Sequence, residues 1–456
     1  MIKRYTSILF GLLLFLVFFA PFSTLIIQFI KFSFEHFGHP FSPTQERIII
    51  GWKEIILFLG LISLAVRWIV TKKLPFTPTK LDAFLLIFIA FAVFWGGQHV
   101  SVKTLIFGLR YDVSPFLYYI LARSVHVSRE QLLQYMCYLC YISLPILLFG
   151  IAQTLFLPQD LLTHIGYSWG GSVTGNPLPP THLIGTTVRA MSTFPGPNSL
   201  GMYAVLLFFI SWFVLPAKQA AVRYGFLALT LTTLAVTFSR GHLLALLSAS
   251  VIVGFYALLH KKFLLHKPAS VARVLTLSTY AALALGLVGI LTYGNSHGAT
   301  SDPAQNIILH NDSTAIHHDV LIEAWDSIKA HPFGSGMGTS GLATTNTGGT
   351  VFNPESWYIQ IAQDLGWVGL LGALAVLASV FSLLASLLHD LPDNEDNRLA
   401  LFFTASFIAI AVSGDFLPSW FEATSVIWWV LFGFFVSDYL ASLPRSTAIL
   451  KSHKKA

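Results

Sequence analysis

The chain reads as an all-α protein that crosses a membrane many times. Of its 456 residues, 55% are apolar and only 11% charged, against about 25% charged in soluble domains. Mean hydropathy is +0.69. The apolar residues come in continuous runs near the roughly 20 residues that a helix needs to cross the hydrocarbon core, without the alternation of a membrane β-barrel. So few charges cannot coat a soluble globule of this length. The net charge of +6 does not mark a nucleic-acid partner, because Lys and Arg sit in short hinges and at the chain ends, as membrane topology requires.

Taken in order, the runs predict twelve spans in a single integral membrane domain, 1–456. They are 7–30, 48–70, 81–100, 104–122, 131–156, 197–215, 224–239, 241–259, 272–293, 357–388, 399–417 and 422–441. Met1-Ile2-Lys3-Arg4 and the run after it imitate a secretory signal. That run is long and lacks a small-x-small cleavage site, so it reads as the first span. Cys137 and Cys140 form a C-x-x-C spacing inside the fifth span. With no ligating partner nearby they read as small apolar residues of a helix, not as a metal or redox pair. The seventh and eighth spans are short and divided only by Ser239-Arg240-Gly241. The tenth is over-long and is expected to begin along the interface before crossing.

Lys and Arg orient the bundle. With the N-terminus in the cytoplasm, eighteen fall inside and eight outside, and Arg67 lies near the inner end of the second span. Both termini are then cytoplasmic. The two long connections, 157–196 and 294–356, face outward. A transporter built of two six-span halves would carry its long connection inside, after the sixth span, with polar groups at mid-membrane. Here that connection, 216–223, is short, no internal repeat is evident, and the polar groups lie at the outer ends. A transporter or flippase of lipid-linked sugar is therefore the alternative, and a non-catalytic envelope assembly protein a third reading.

The outer face carries the candidate chemistry. Arg110, Arg189 and Arg240 lie at outer span ends, where arginine is costly and usually faces a polar cavity or partner. Guanidinium forks suit phosphate oxygens, so three of them point to a diphosphate with a lipid tail, although Asp112 can instead pair Arg110. In the larger loop, Ile316, Val320, Leu321, Ala324, Trp325 and Ile328 recur at helical spacing. They predict an amphipathic helix over 313–330 that bears His317 and His318, followed by His331. Gly334, Gly336 and Gly338 follow. They either present backbone N–H groups to a substrate or make a turn. The Lys-Ser/Thr and strand-turn-helix context of a nucleotide phosphate loop are absent.

These blocks, in this order, resemble the O-antigen ligase and O-antigen polymerase superfamily of bacterial membrane glycosyltransferases. The matching pieces are Gly108-Leu109-Arg110-Tyr111, Arg189 with Phe194-Pro195-Gly196-Pro197-Asn198-Ser199-Leu200-Gly201, and Ser239-Arg240. Ala324-Trp325, the run His331 to Gly338, and Glu355-Ser356-Trp357-Tyr358-Ile359-Gln360 with Asp364-Leu365-Gly366-Trp367-Val368-Gly369 complete them. Twelve spans with a large loop between the ninth and tenth also match. The resemblance implies a GT-C-like bundle at the bacterial inner membrane and a transfer without metal or other cofactor. A glycan on undecaprenyl diphosphate passes to a glycan or lipid acceptor hydroxyl at the outer face. It assigns the diphosphate to Arg189 and Arg240, and less directly to Arg110. Where ligases of the family carry a His-Asn pair, this chain has Glu355-Ser356. A carboxylate can also take the hydroxyl proton, so Glu355 is the first candidate base and His317, His318 and His331 the second. Glu355 can instead serve the helix N-terminus. The change favours a polymerase, or a ligase with an acceptor other than lipid A. Gln360 and Asp364 are candidates for the acceptor side, and Asp415 and Glu422 are weaker ones.

Overall fold

Polar caps set where the helices start. Thr79 and Asp82 form a reciprocal capping box ahead of α5 (Lys80–Phe94), and Ser128 with Gln131 does the same for α8 (Arg129–Leu155). Each box satisfies N–H groups that the first turn leaves without partners, just before an apolar run begins. The computed structural model describes residues 2–39, 41–158, 187–261, 311–347, 354–391, 395–415 and 423–442, with a few further positions between 160 and 184 and at 275–279. The expected ninth span, most of the 157–196 loop, the start of the 294–356 loop and Glu422 lie outside the described residues.

Among the described residues the chain is helical apart from one antiparallel hairpin of two-residue strands, β1 (Leu183–Ile184) and β2 (Thr187–Val188). Before α5 come α1 (Ile2–Phe19), α2 (Ser23–His36), α3 (Pro43–Ile50) and α4 (Trp52–Thr71). After it come α6 (Val102–Asp112), α7 (Ser114–Arg123) and α8. The strands lead to α9 (Pro197–Phe213), α10 (Ala220–Val236) and α11 (Arg240–Lys261). The remainder is α12 (Asn311–Ala330), the single turn α13 (Thr344–Thr347), α14 (Trp357–Asp390), α15 (Glu395–Ser413) and α16 (Ala423–Ser442). Five helical runs are long and apolar enough to cross a membrane: Thr6–His36, Trp52–Thr71, Arg129–Leu155, Trp357–His389 and Ala423–Ser442. Shorter apolar helices cover Pro197–Phe213, Ala220–Val236, Arg240–Tyr256 and Asn397–Ser413. These are the helices of a membrane protein.

Two spans expected as single helices are built differently. Residues 104–122 form α6 and α7 with a break at Val113, because Pro115 has no N–H to continue the ladder. Helix α5 ends at Phe94, and residues 95–101 turn toward α6. Helix α14 is broken by Gly366, with φ 70° and ψ −170°. Its first nine residues therefore form a separate segment ahead of the long apolar run.

Lipid tails are as apolar as leucine, so packing and polar contacts hold such helices together. Helix α16 runs through the middle and packs on α7, while α15 packs on α11 and α9. Trp428 stacks on Phe432 at 4.7 Å and on Phe407 at 5.0 Å, and Trp429 meets Phe116 edge-on at 5.1 Å. Such aromatic pairs add about 0.5–1.5 kcal/mol each beyond area. Gly433 lets α16 approach α7, since a Cβ there would lie 2.6 Å from Ala122 Cβ. At one end of α5, buried Arg123 is 3.2 Å from Asp82 and donates to Tyr119 Oη and the Thr77 carbonyl at 2.9 and 2.6 Å. By contrast Phe58, Ile69, Ile87 and Leu371 point outward from the bundle, as side chains that face hydrocarbon do.

Candidate functional site

β2 runs directly into Arg189. The Ala190 N–H bonds to the Val236 carbonyl at 2.9 Å, which draws this strand end against the corner between α10 and α11. Arg189 Nε donates to the Thr237 carbonyl at 2.9 Å, and its Nη2 donates to Asn198 Oδ1 at 3.0 Å. Asn198 stands in the first turn of α9, where Pro197 is pre-set for a helix start. The same Oδ1 accepts from Ser239 Oγ at 3.0 Å. The start of α9 and the α10–α11 corner thus hold one guanidinium between them. The corner closes tightly because Phe238 takes a left-handed φ of 52°, and Arg240 is the first residue of α11.

Burial, then the charge of Arg240, lowers the Arg189 pKa from 12.5 to about 10. Both arginines therefore carry charge at neutral pH, with Arg240 exposed. Two like charges brought together, with Arg189 fixed by neutral oxygens, favour an anion that bridges them. Buried His242 joins the cluster through Nδ1, 2.6 Å from Ser239 Oγ. Its Nε2 has no partner among the described residues. The sequence offered no spacing that would single out this histidine or the Asn198 amide.

The glycine run forms a latch. The carboxylate of Asp364 accepts from the Gly338 N–H at 2.6 Å, the Ser340 N–H at 2.9 Å and the Ser340 Oγ at 2.7 Å. The Gly336 N–H bonds to the Asp364 carbonyl, the Ser335 N–H to the Gln363 carbonyl, and the Met337 N–H to the Gly96 carbonyl. Gly334, Gly336 and Gly338 all have positive φ, at 90°, 109° and 86°. A Cβ on Gly108 would lie 2.5 Å from the Gly338 nitrogen. The turn is thereby clamped between the α5–α6 corner and the Gly366 break. The expectation that these N–H groups line a substrate is corrected: protein acceptors take them. Asp364 acts as the latch acceptor, not on an acceptor substrate.

The other predicted residues separate. Arg110 Nε pairs with Glu54 on α4 at 2.7 Å, so its charge is answered within the fold. Asp112 is not its partner, because Gln360 Nε2 donates to both Asp112 oxygens at 2.9 and 3.1 Å. That ties Gln360 to α6 instead of leaving it for an acceptor. Glu355 is partly buried at the junction of loop and α14, with a left-handed φ of 54°. For a non-glycine residue this is strained backbone, of the kind that clusters at functional sites. The α14 cap is Ser356, whose Oγ accepts the Ile359 N–H, and the Trp357 N–H bonds to the Gly414 carbonyl at the end of α15. His331 lies in the exposed turn after α12. His317 and His318 lie on α12, but their side chains are outside the described residues. Asp415 is buried beside the Glu355 junction, and neither carboxylate oxygen has a partner among the described residues.

Fold and site together define a polytopic helical membrane protein that gathers an arginine pair at one helix corner and latches a polar loop onto the break in a long helix. Residues 225–374, about a third of the chain, match the family model described as O-Antigen ligase. The match, from α10 into α14, supports the O-antigen ligase and polymerase superfamily and lipid-linked glycan transfer in general. No curated protein matches the chain.

Proposed function

We propose that the protein transfers a glycan from undecaprenyl diphosphate to an acceptor hydroxyl at the outer face of the bacterial inner membrane, through a bundle of twelve spans with both termini cytoplasmic. The observation that carries this reading is the arginine pair. Arg189 is aimed by Asn198 and Thr237 beside Arg240, inside or next to the region that matches the O-antigen ligase model.

In the proposed reaction the acceptor oxygen attacks the anomeric carbon. The bond from that carbon to the diphosphate breaks, and the electron pair leaves with the lipid diphosphate. Arg189 and Arg240 neutralise the charge that develops on it, the largest single contribution in many such sites. Glu355 takes the hydroxyl proton from the opposite face, with the loop histidines as the second choice. Arg110, paired with Glu54, has a structural part.

The test is complementation of a deletion strain with Arg189→Ala, Arg240→Ala and Glu355→Gln singly, followed by the glycan ladder. Each variant is expected to lose transfer and accumulate lipid-linked glycan. Chains that collapse to single repeats would mark a polymerase, and unattached lipid-linked polymer a ligase. Normal glycans from all three variants would sink the enzymatic reading.

A further inference from the structure

A cavity of about 730 Å³ opens between α12, the α5–α6 corner and the latch. Glu323 and Ser327 line it from α12, Ser101 and Thr104 from the start of α6, and Thr339 and Gln363 from the latch side. It is separate from the arginine cluster, since it shares none of the residues that hold Arg189. No lysine or arginine lines it among the described residues.

Acceptors predominate in its lining, and His99 also lines it. The Ser101 and Thr104 hydroxyls are 2.8 Å apart and bond to each other. Thr339 Oγ1 donates to the Gly336 carbonyl at 2.8 Å, and Ser340 Oγ to Asp364. A hydroxyl whose proton is engaged still offers oxygen lone pairs. Glu323 adds a carboxylate. Gln363 is only 4% exposed, and its Oε1 has no partner among the described residues. A buried amide oxygen left without a partner is destabilising, and a donor entering the cavity would satisfy it. The wall thus presents several acceptors, among them the Glu323 carboxylate, together with a few donors.

We infer that this cavity binds the saccharide part of a substrate, a polyhydroxylated ring system whose O–H groups donate to Gln363 Oε1, Glu323 and the hydroxyl oxygens. The inference rests on the glycan-transfer reading and divides the labour. The arginine pair takes the diphosphate, and the acceptor-rich cavity takes sugar. The sugar can belong to the acceptor or to the glycan of the donor, which share this chemistry.

The test uses the full chain in lipid nanodiscs. Two probes are titrated: the free repeat-unit oligosaccharide released from the host's own surface polysaccharide, read by saturation-transfer NMR, and inorganic pyrophosphate. Ser327→Trp fills the cavity from α12 and is expected to weaken oligosaccharide binding at least roughly tenfold, the loss of one or two good hydrogen bonds. Glu323→Gln, at an exposed position, is expected to weaken it several-fold, and Gln363→Leu likewise. Pyrophosphate binding stays unchanged in all three, which also shows that they are folded. Arg189→Ala gives the reverse pattern. Oligosaccharide affinity within twofold of the parent in both Ser327→Trp and Glu323→Gln overturns the inference, whatever the arginine variants do. Normal transfer by Arg189→Ala and Arg240→Ala overturns the transfer reading instead. Once transfer is measured in vitro, a rise in KM for the acceptor alone, or for the lipid-linked donor alone, tells which sugar occupies the cavity.

Discussion

Arg189 shows how much a single side chain depends on distant neighbours. Two of its polar contacts come from residues 198 and 237, and the second lies 48 positions away, outside its own motif. Arg189→Lys keeps the charge but loses the fork, so we expect transfer to fall by about one to two orders of magnitude, because Lys cannot replace a positioned guanidinium. The check is the rate of glycan attachment at a fixed protein level. The pH behaviour follows from the lowered pKa of about 10. Between that value and arginine's ordinary, higher pKa the unfolded chain holds more protons than the folded one, so this group's contribution to stability rises with pH there. Arg189 stays protonated from pH 6 to 9, so the difference in pyrophosphate affinity between the parent and Arg189→Ala should hold across that range and shrink above about 10, which calorimetry would show. Glu355→Gln should lower the rate by roughly 10²–10⁴, the usual worth of a general base, without weakening pyrophosphate binding. The arginines and Glu355 could be picked out from the order of the motifs. The Glu54 partner of Arg110 could not, because nothing local links residues 54 and 110. The same holds for Gln363, whose unpartnered oxygen exists only once the latch has formed.

The latch belongs to the scale of elements. In the sequence its glycines read equally well as a substrate cradle or a turn, and only the acceptors of their N–H groups decide between them. The deciding residue, Asp364, lies 26 positions from Gly338 on a helix whose break at Gly366 was expected in kind but not in place. Asp364→Asn replaces the carboxylate that accepts four latch hydrogen bonds. We expect it to destabilise the protein by about 2–4 kcal/mol, as hydrogen bonds to charged groups are lost and buried donors are stranded. A fall in melting temperature together with faster hydrogen exchange over 333–340 would confirm this; unchanged exchange there would contradict it. Gly366→Ala should act in the same direction, because a Cβ would meet the backbone of Pro332 and Phe333 at positive φ.

For the whole molecule, composition alone gave the class, since runs of membrane length with few charges leave no soluble alternative. What it could not give is how the break at Gly366 divides a run, because that break is fixed by packing against Pro332 and Phe333; the break at Val113 has a local cause in Pro115. The bundle's polar anchor is equally non-local: Arg123→Ala strands buried Asp82 and should cost about 3–5 kcal/mol, as loss of one partner of a buried pair does, measured as lost folded protein in detergent. The distribution of Lys and Arg predicts the proposed sidedness, and cysteine labelling in intact cells at Ser101 and Ser327 should find both outside. The central claim is that two arginines from separate segments jointly hold a lipid-linked diphosphate for glycan transfer. The most direct measurement is the glycan ladder of a deletion strain carrying Arg189→Ala or Arg240→Ala at normal membrane levels. The account predicts loss of the surface glycan with accumulation of its lipid-linked precursor in both. A normal ladder from both variants would contradict it.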